Sequence, residues 1–239
     1  MPSSKSDLAA VRSGCENSRC APESALKIEK SEFIKSAAGS ESFMFDELPE
    51  IAFAGRSNVG KSSLLNRLLG RKLARTSSTP GRTQLVNYFR VNGSFYFVDL
   101  PGFGYAKASK EARSLWAEII NDYLRTPHPQ RIVVHLVDAR VGATALDEQA
   151  GEYFAGLGLR ALAVATKVDD VKRGERARRM KQIADALQIG EPTAILAVSA
   201  QTGEGVRELW KSIAEFLAEQ TAPQQKRKKE HAEGPHGTP

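Results

Sequence analysis

Short apolar runs alternate with helical-period stripes along most of the chain, and their order predicts an α/β fold. Ile51, Ala52, Phe53 and Ala54 form a continuous run of the kind a strand buried on both faces requires. Leu64, Leu65, Leu68 and Leu69 follow at helical spacing. The segments LVNYFRV and SFYFVDL flank Asn92 and Gly93, a pair that accepts the positive φ of a tight hairpin turn, so these two strands should pair antiparallel. Further on, IVVHLVD at 132–138, ALAVAT at 161–166 and AILAVS at 194–199 read as buried parallel strands. Amphipathic helices are expected between and after them, on Leu115, Ile119, Ile120 and Tyr123; on Ala150, Tyr153, Phe154 and Leu157; on Met180, Ile183, Ala184 and Leu187; and on Val206, Leu209, Ile213 and Phe216. Ile28, Phe33 and Ile34 suggest a strand ahead of all these, followed by a short apolar patch at Phe43, Met44 and Phe45. The expectation is a mostly parallel six-stranded sheet with one antiparallel hairpin strand and helices on both faces. Right-handed crossovers place ligands at the carboxyl ends of its strands.

The 239 residues suffice for one well-buried domain with tails to spare, and 41% apolar with 26% charged residues is ordinary for a globular chain. Residues 1–25 are polar and aperiodic and read as a flexible arm, 26–220 as the domain, and 221–239, which contains KRKK at 226–229, as a flexible basic tail. The segment 71–82, rich in Ser, Thr, Pro and Gly, reads as a mobile surface loop. No apolar run is long enough to span a bilayer and the polar start lacks a secretory signal, so a cytoplasmic protein without a membrane partner is expected. The two cysteines, Cys15 and Cys20, have no further ligands nearby and cannot assemble a four-ligand zinc site.

A net charge of +6 adds a modest leaning towards a polyanionic partner. Its distribution is uneven. From Ile51 to Val98 there is no Asp or Glu, while Arg56, Lys61, Arg67, Arg71, Lys72, Arg75, Arg82 and Arg90 are all basic, and KRGERARRMK at 172–181 forms a second cluster.

Three motifs carry the chemistry. Gly55, Arg56, Ser57, Asn58, Val59, Gly60, Lys61, Ser62 and Ser63 stand between a strand and a helix and match the phosphate-binding loop in which backbone N–H groups wrap phosphates. In that pattern Lys61 reaches the outer phosphates, Ser62 offers its hydroxyl to Mg2+, and the helix N-terminus favours the anion. Asp99, Leu100, Pro101 and Gly102 end the outgoing hairpin strand, where an acidic residue holds the magnesium and the glycine N–H can reach a γ-phosphate. Thr166, Lys167, Val168 and Asp169 close a buried strand, and a carboxylate there can accept both the N1–H and the exocyclic amine of guanine, a donor pair adenine lacks. Lys167 would lay its stem over the ring, and Ser199 and Ala200, after Val198, would offer a backbone N–H to the guanine oxygen.

Together GRSNVGKSS, SSTPGRTQ, DLPGFGYAK, TKVD and VSAQTGEG resemble the EngB (YihA-type) ribosome-biogenesis GTPases of bacteria, over roughly residues 27–220. The resemblance implies a P-loop GTPase fold, GTP and GDP as ligands, and a role in assembly of the large ribosomal subunit, with its rRNA as partner and links to the cell cycle and septation; a monomer is expected. It also implies that Thr83 joins Ser62 and Asp99 on magnesium, and that Gly81, Arg82, Thr83, Gln84 and Leu85 form a switch contacting the nucleotide. Thr166 stands where the commonest guanine motif has Asn, a replacement such proteins often show. Phe103 occupies the position after the DxxG glycine where Ras-like enzymes carry a water-orienting glutamine, so intrinsic hydrolysis should be slow. Asn58 resembles the asparagine that coordinates K+ in related bacterial GTPases, which makes it a catalytic candidate beside Lys61, Thr83 and Gly102. The rival readings are a nucleotide-regulated RNA-binding module with incidental hydrolysis, or a GTPase of another translation-related pathway.

Overall fold

The computed structural model describes residues 28–74, 85–104 and 110–232. Among these, seven strands form one sheet in the order β1-β3-β4-β2-β5-β6-β7. They are β1 Ser31–Ala37, β2 Glu50–Gly55, β3 Val86–Val91, β4 Phe95–Asp99, β5 Arg131–Asp138, β6 Ala161–Thr166 and β7 Leu196–Val198. Strand β3 alone runs against the others, antiparallel to both β1 and β4, while β4-β2-β5-β6-β7 are parallel. The hairpin turn is the expected one: Asn92 and Gly93 both take positive φ, and the Ser94 N–H donates to the Val91 carbonyl at 2.9 Å.

The sheet thus has seven strands rather than six. The strand suggested around Phe33 and Ile34 joins the sheet as edge strand β1, which the count of six left out; it pairs only with β3, and Phe33 and Ile34 stay 49% and 38% exposed. Its position is fixed instead by Asn92, whose side-chain oxygen accepts the N–H groups of Glu29 and Lys30.

Alternation along the strands divides the core. Ile51, Phe53, Phe97, Val134, Leu136 and Val164 point to the face covered by α1 Lys61–Leu69 and α5 Val206–Ala232, packing on Leu64, Leu65, Leu68, Leu209, Ile213 and Phe216. Ala52, Ala54, Tyr96, Val98 and Val133 point to the other, against Ile119 and Tyr123 of α2 Lys110–Arg125 and Phe154 of α3 Ala145–Gly156. On that same side α4 Arg173–Ala186 sets Ile183 and Ala184 on Val137, Ala163 and Ala165. Each fully buried Leu, Ile or Phe stabilises by about 1.5–3 kcal/mol relative to exposure, which holds the helices to the sheet and the strand ends in place. Leu115, expected on the buried stripe of α2, is 52% exposed.

At the amino ends of the parallel strands, away from their ligand-binding ends, the buried Glu50 Oε2 accepts hydrogen bonds from Tyr123 and Arg131, each at 2.8 Å. Arg131 also donates from Nη1 to the carbonyls of Tyr123 and Thr126. At the other terminus α5 continues to Ala232, past residue 220 and through KRKK, where a flexible tail was expected. Gln, Lys, Arg, Glu and Ala are strong helix formers, so a segment with little to bury can still prolong an existing helix.

Candidate functional site

The carboxyl ends of β2, β4, β6 and β7 bring the three motifs together. After Gly55 the chain crosses Asn58 and Gly60 with φ of 66° and 102°, then enters α1 at Lys61. These left-handed residues bend the backbone into a concave loop of the anion-binding kind at a helix N-terminus. A side chain at Gly60 would be strained by its φ, and its Cβ would stand in contact with Lys167 Cε at 3.4 Å. Val59 is buried, Ser62 half-buried and Ser63 exposed.

Lys61 forms a buried ion pair with Asp99 at the end of β4, the strand neighbouring β2. Leu100 and Pro101 are buried behind it. Gly102 then passes so close that a Cβ would lie 3.1 Å from Ser57 Cα, and the contact continues as a backbone bridge between Arg56 and Phe103. The Ser57 N–H donates to the Phe103 carbonyl at 2.9 Å and the Phe103 N–H to the Gly55 carbonyl at 3.2 Å. Arg56 also reaches α3, its Nε 2.9 Å from Asp147, in an ion pair lacking hydrogen-bond alignment.

On the other flank, the register of β6 puts Thr166 beside Asp138 of β5 and Val198 of β7. The Thr166 hydroxyl is 2.6 Å from the Val59 carbonyl and 3.2 Å from that of Val137, so its single proton ties the end of β6 to the glycine loop. Lys167 turns left-handed, with φ 56°, and its ammonium donates to the Asn58 carbonyl at 2.5 Å and to Asp138 at 2.7 Å. Burial pushes the Asp138 carboxyl up, but bonds from Arg140 and Lys167 outweigh it and hold the group below the usual carboxylate range. Val168 is buried and Asp169 half-exposed.

A cavity of about 320 Å3 opens between these flanks, lined by Gly60, Ser63, Leu64, Thr166, Lys167, Asp169, Asp170, Val198, Ala200 and Gln201. Its size suits a small-molecule ring with a few convergent polar groups. Ser199 does not line it: this residue is fully buried, its N–H donates to the Glu204 carbonyl and its hydroxyl accepts the N–H groups of Gln201 and Thr202. Gly81, Arg82, Thr83 and Gln84, and most of the expected 71–82 loop, lie outside the described residues, whereas Leu85 is half-buried just before β3. Sequence reasoning missed Asp138, Arg140 and Asp147. The first had a readable signal, a carboxylate at the carboxyl end of a buried parallel strand.

The basic clusters are partly consumed within the fold. Arg176 pairs with Glu204, Arg179 donates to the Val141 carbonyl and Lys181 pairs with Asp185, while Lys172, Arg173 and Arg178 are exposed. Among the described residues, no helix is long and apolar enough to cross a membrane.

Residues 50–167 match the model of a 50S ribosome-binding GTPase family. A probable GTP-binding protein EngB of Pelotomaculum thermopropionicum is 47% identical over 193 residues, covering 80% of this chain and 98% of the relative. The crystal structure of a probable GTP-binding protein engB, 24% identical, superposes with a TM-score of 0.59 over 71% of this chain and 99% of its own, a likeness of fold. A structure of Era in complex with MgGDPNP and a segment of 16S ribosomal RNA is 26% identical with a TM-score of 0.56, covering 71% of this chain and 57% of that one.

Proposed function

We propose that this chain, which belongs to the EngB family of GTP-binding proteins, is a magnesium-dependent, guanine-specific switch that hydrolyses GTP slowly and acts in assembly of the large ribosomal subunit. The observation that carries the nucleotide reading is the cavity, where Asp169 faces the same space as Gly60 and the start of α1. A base held there leaves its phosphates at the concave loop. Asp169 would accept the guanine N1–H and amine, the Lys167 stem would cover the ring, and the Ala200 backbone would meet the guanine oxygen, the Ser199 N–H being committed to Glu204. Thr166 would not read the base. Its hydroxyl is committed to the Val59 carbonyl of the glycine loop, so the change from the commoner Asn leaves the base to Asp169 and is compatible with guanine preference.

Hard oxygen donors suit magnesium, and Asp99, 2% exposed and facing the Lys61 ammonium, fits a carboxylate that balances local charge. Ser62 and Asp99 would hold the ion, with Thr83 by family resemblance, and the ion would neutralise charge on the β- and γ-phosphates. Lys61 would add its charge at the same oxygens, and the Gly102 N–H would meet the γ-phosphate. Phe103 offers no polar group to orient water, which supports a slow intrinsic rate, and K+ at Asn58 is the proposed supplement.

The family description as 50S ribosome-binding supports the partner, and Era's description with 16S ribosomal RNA supports only an RNA contact in general. The exposed Arg67, Arg71, Lys72, Lys172, Arg173 and Arg178 of the two basic clusters are cations that would meet phosphates. A cytoplasmic monomer fits this role. Calorimetry tests the base assignment: GDP and GTP should bind and ATP should not, and Asp169→Asn should weaken GDP while strengthening xanthosine diphosphate, whose carbonyl replaces the guanine amine. Equal affinity for ATP and GTP would remove the guanine reading.

A further inference from the structure

Lys167 lines the cavity, but the groups that hold its ammonium lie outside it. One is the Asn58 carbonyl, and the other is Asp138, whose side chain is only 7% exposed. Asp138 is itself clamped by Arg140, which donates its backbone N–H at 3.0 Å and Nε at 3.1 Å to one carboxylate oxygen and Nη2 at 2.9 Å to the other. Arg140 then extends to Asp170, 3.5 Å away, on the cavity wall next to Asp169. The parallel register sets this up, since Asp138 lies directly beside Thr166 and so one residue from Lys167.

A lysine stem has many rotamers, and freezing one against a ligand ring is entropically unfavourable unless the side chain is already fixed. Here the ammonium is anchored by a charge-assisted bond to a carboxylate that cannot itself rotate away. We propose that Asp138, clamped by Arg140, is a positioning residue that holds Lys167 as a preformed wall of the base cavity and thereby sets affinity for guanine nucleotides. The inference rests on the guanine reading of that cavity. It also links the cavity to the phosphate loop, because the same ammonium bonds the carbonyl of Asn58.

The test is a double-mutant cycle by calorimetry with GDP and Mg2+ on the full chain. Asp138→Asn should weaken GDP about tenfold, the loss expected when the acceptor that holds the Lys167 ammonium loses its negative charge. In a Lys167→Met background the same change should cost nothing further, since there is no ammonium left to position. Arg140→Ala, at a side chain 46% exposed, gives a second route that leaves the core intact; it should weaken GDP by about threefold, and again only when Lys167 is present. Equal losses in both backgrounds would make Asp138 merely structural and overturn the proposal, as would unchanged GDP affinity in Asp138→Asn and Arg140→Ala. The Asp169→Asn control separates the two claims. If it fails to favour xanthosine diphosphate, the guanine reading falls; if it succeeds while the cycle shows no coupling, only the role of Asp138 falls.

Discussion

His135 in the middle of β5 should make the protein lose stability on mild acidification, well above the pH at which carboxylates titrate. The ring is 3% exposed and stands edge-on to Phe154, centroids 5.2 Å apart, with no hydrogen-bond partner for Nε2 among the described residues. Burial lowers its pKa from 6.5 to about 4, and the nearby Asp147 only partly opposes the shift. Between those values the unfolded chain binds a proton that the native chain excludes, so stability falls as pH drops from 6.5 towards 4. From pH 7 to pH 5 the linkage amounts to about 2 kcal/mol, a sizeable part of the total for a domain of this size. Urea unfolding without nucleotide, at pH 7, 6 and 5, measures it. His135→Leu keeps an apolar side chain against Phe154, removes the titration, and should flatten the dependence over this range. A leucine variant that weakens as steeply as the wild type, or a wild type insensitive to pH between 7 and 5, would show that His135 is not the titrating group.

Two further outcomes are expected. Hydrolysis should run faster in potassium than in sodium at matched ionic strength, and Asn58→Ala should erase the difference; equal rates in the two salts would refute the potassium proposal. Glu50→Gln should leave Arg131 as a buried charge without its carboxylate and destabilise by about 3–5 kcal/mol in urea unfolding. GDP affinity of the folded variant should hardly change, because that cluster sits at the opposite ends of the strands from the cavity; a large drop would show the two ends to be coupled.

The parts of the fold legible in the sequence are those where one local pattern settles one local structure. Gly55 to Ser63 specify strand, loop and helix together, and Asn92-Gly93 specifies its turn, since in each case backbone conformation and residue type are bound to each other. Side chains that act across the sheet were less accessible. That Asp138 meets Lys167 depends on the β5-β6 register, and that Arg56 meets Asp147 depends on where α3 starts relative to the loop; neither follows from spacing along the chain. Ser199 was misplaced for a related reason. A motif names the loop, but which of its N–H groups turns inward depends on the Ser199 to Glu204 closure. Edge strand β1 was legible as a strand from Ile28, Phe33 and Ile34 but not as a member of the sheet, and the far end of α5 was not read as helix. Amphipathic burial is the signal a sequence offers, and neither element relies on it alone.

The most direct test of the account is sedimentation of the protein with isolated large ribosomal subunits in GDP and in a non-hydrolysable GTP analogue, each across a salt series. Binding should be tighter with the GTP analogue, since on the proposed switch the γ-phosphate would order the loops that contact it, and should fall steeply with salt if phosphate contacts release counterions. By linkage, subunits should raise the preference for the GTP analogue over GDP by the same factor. Binding that is the same in both nucleotides and flat across the salt series would contradict both the switch and the RNA contact.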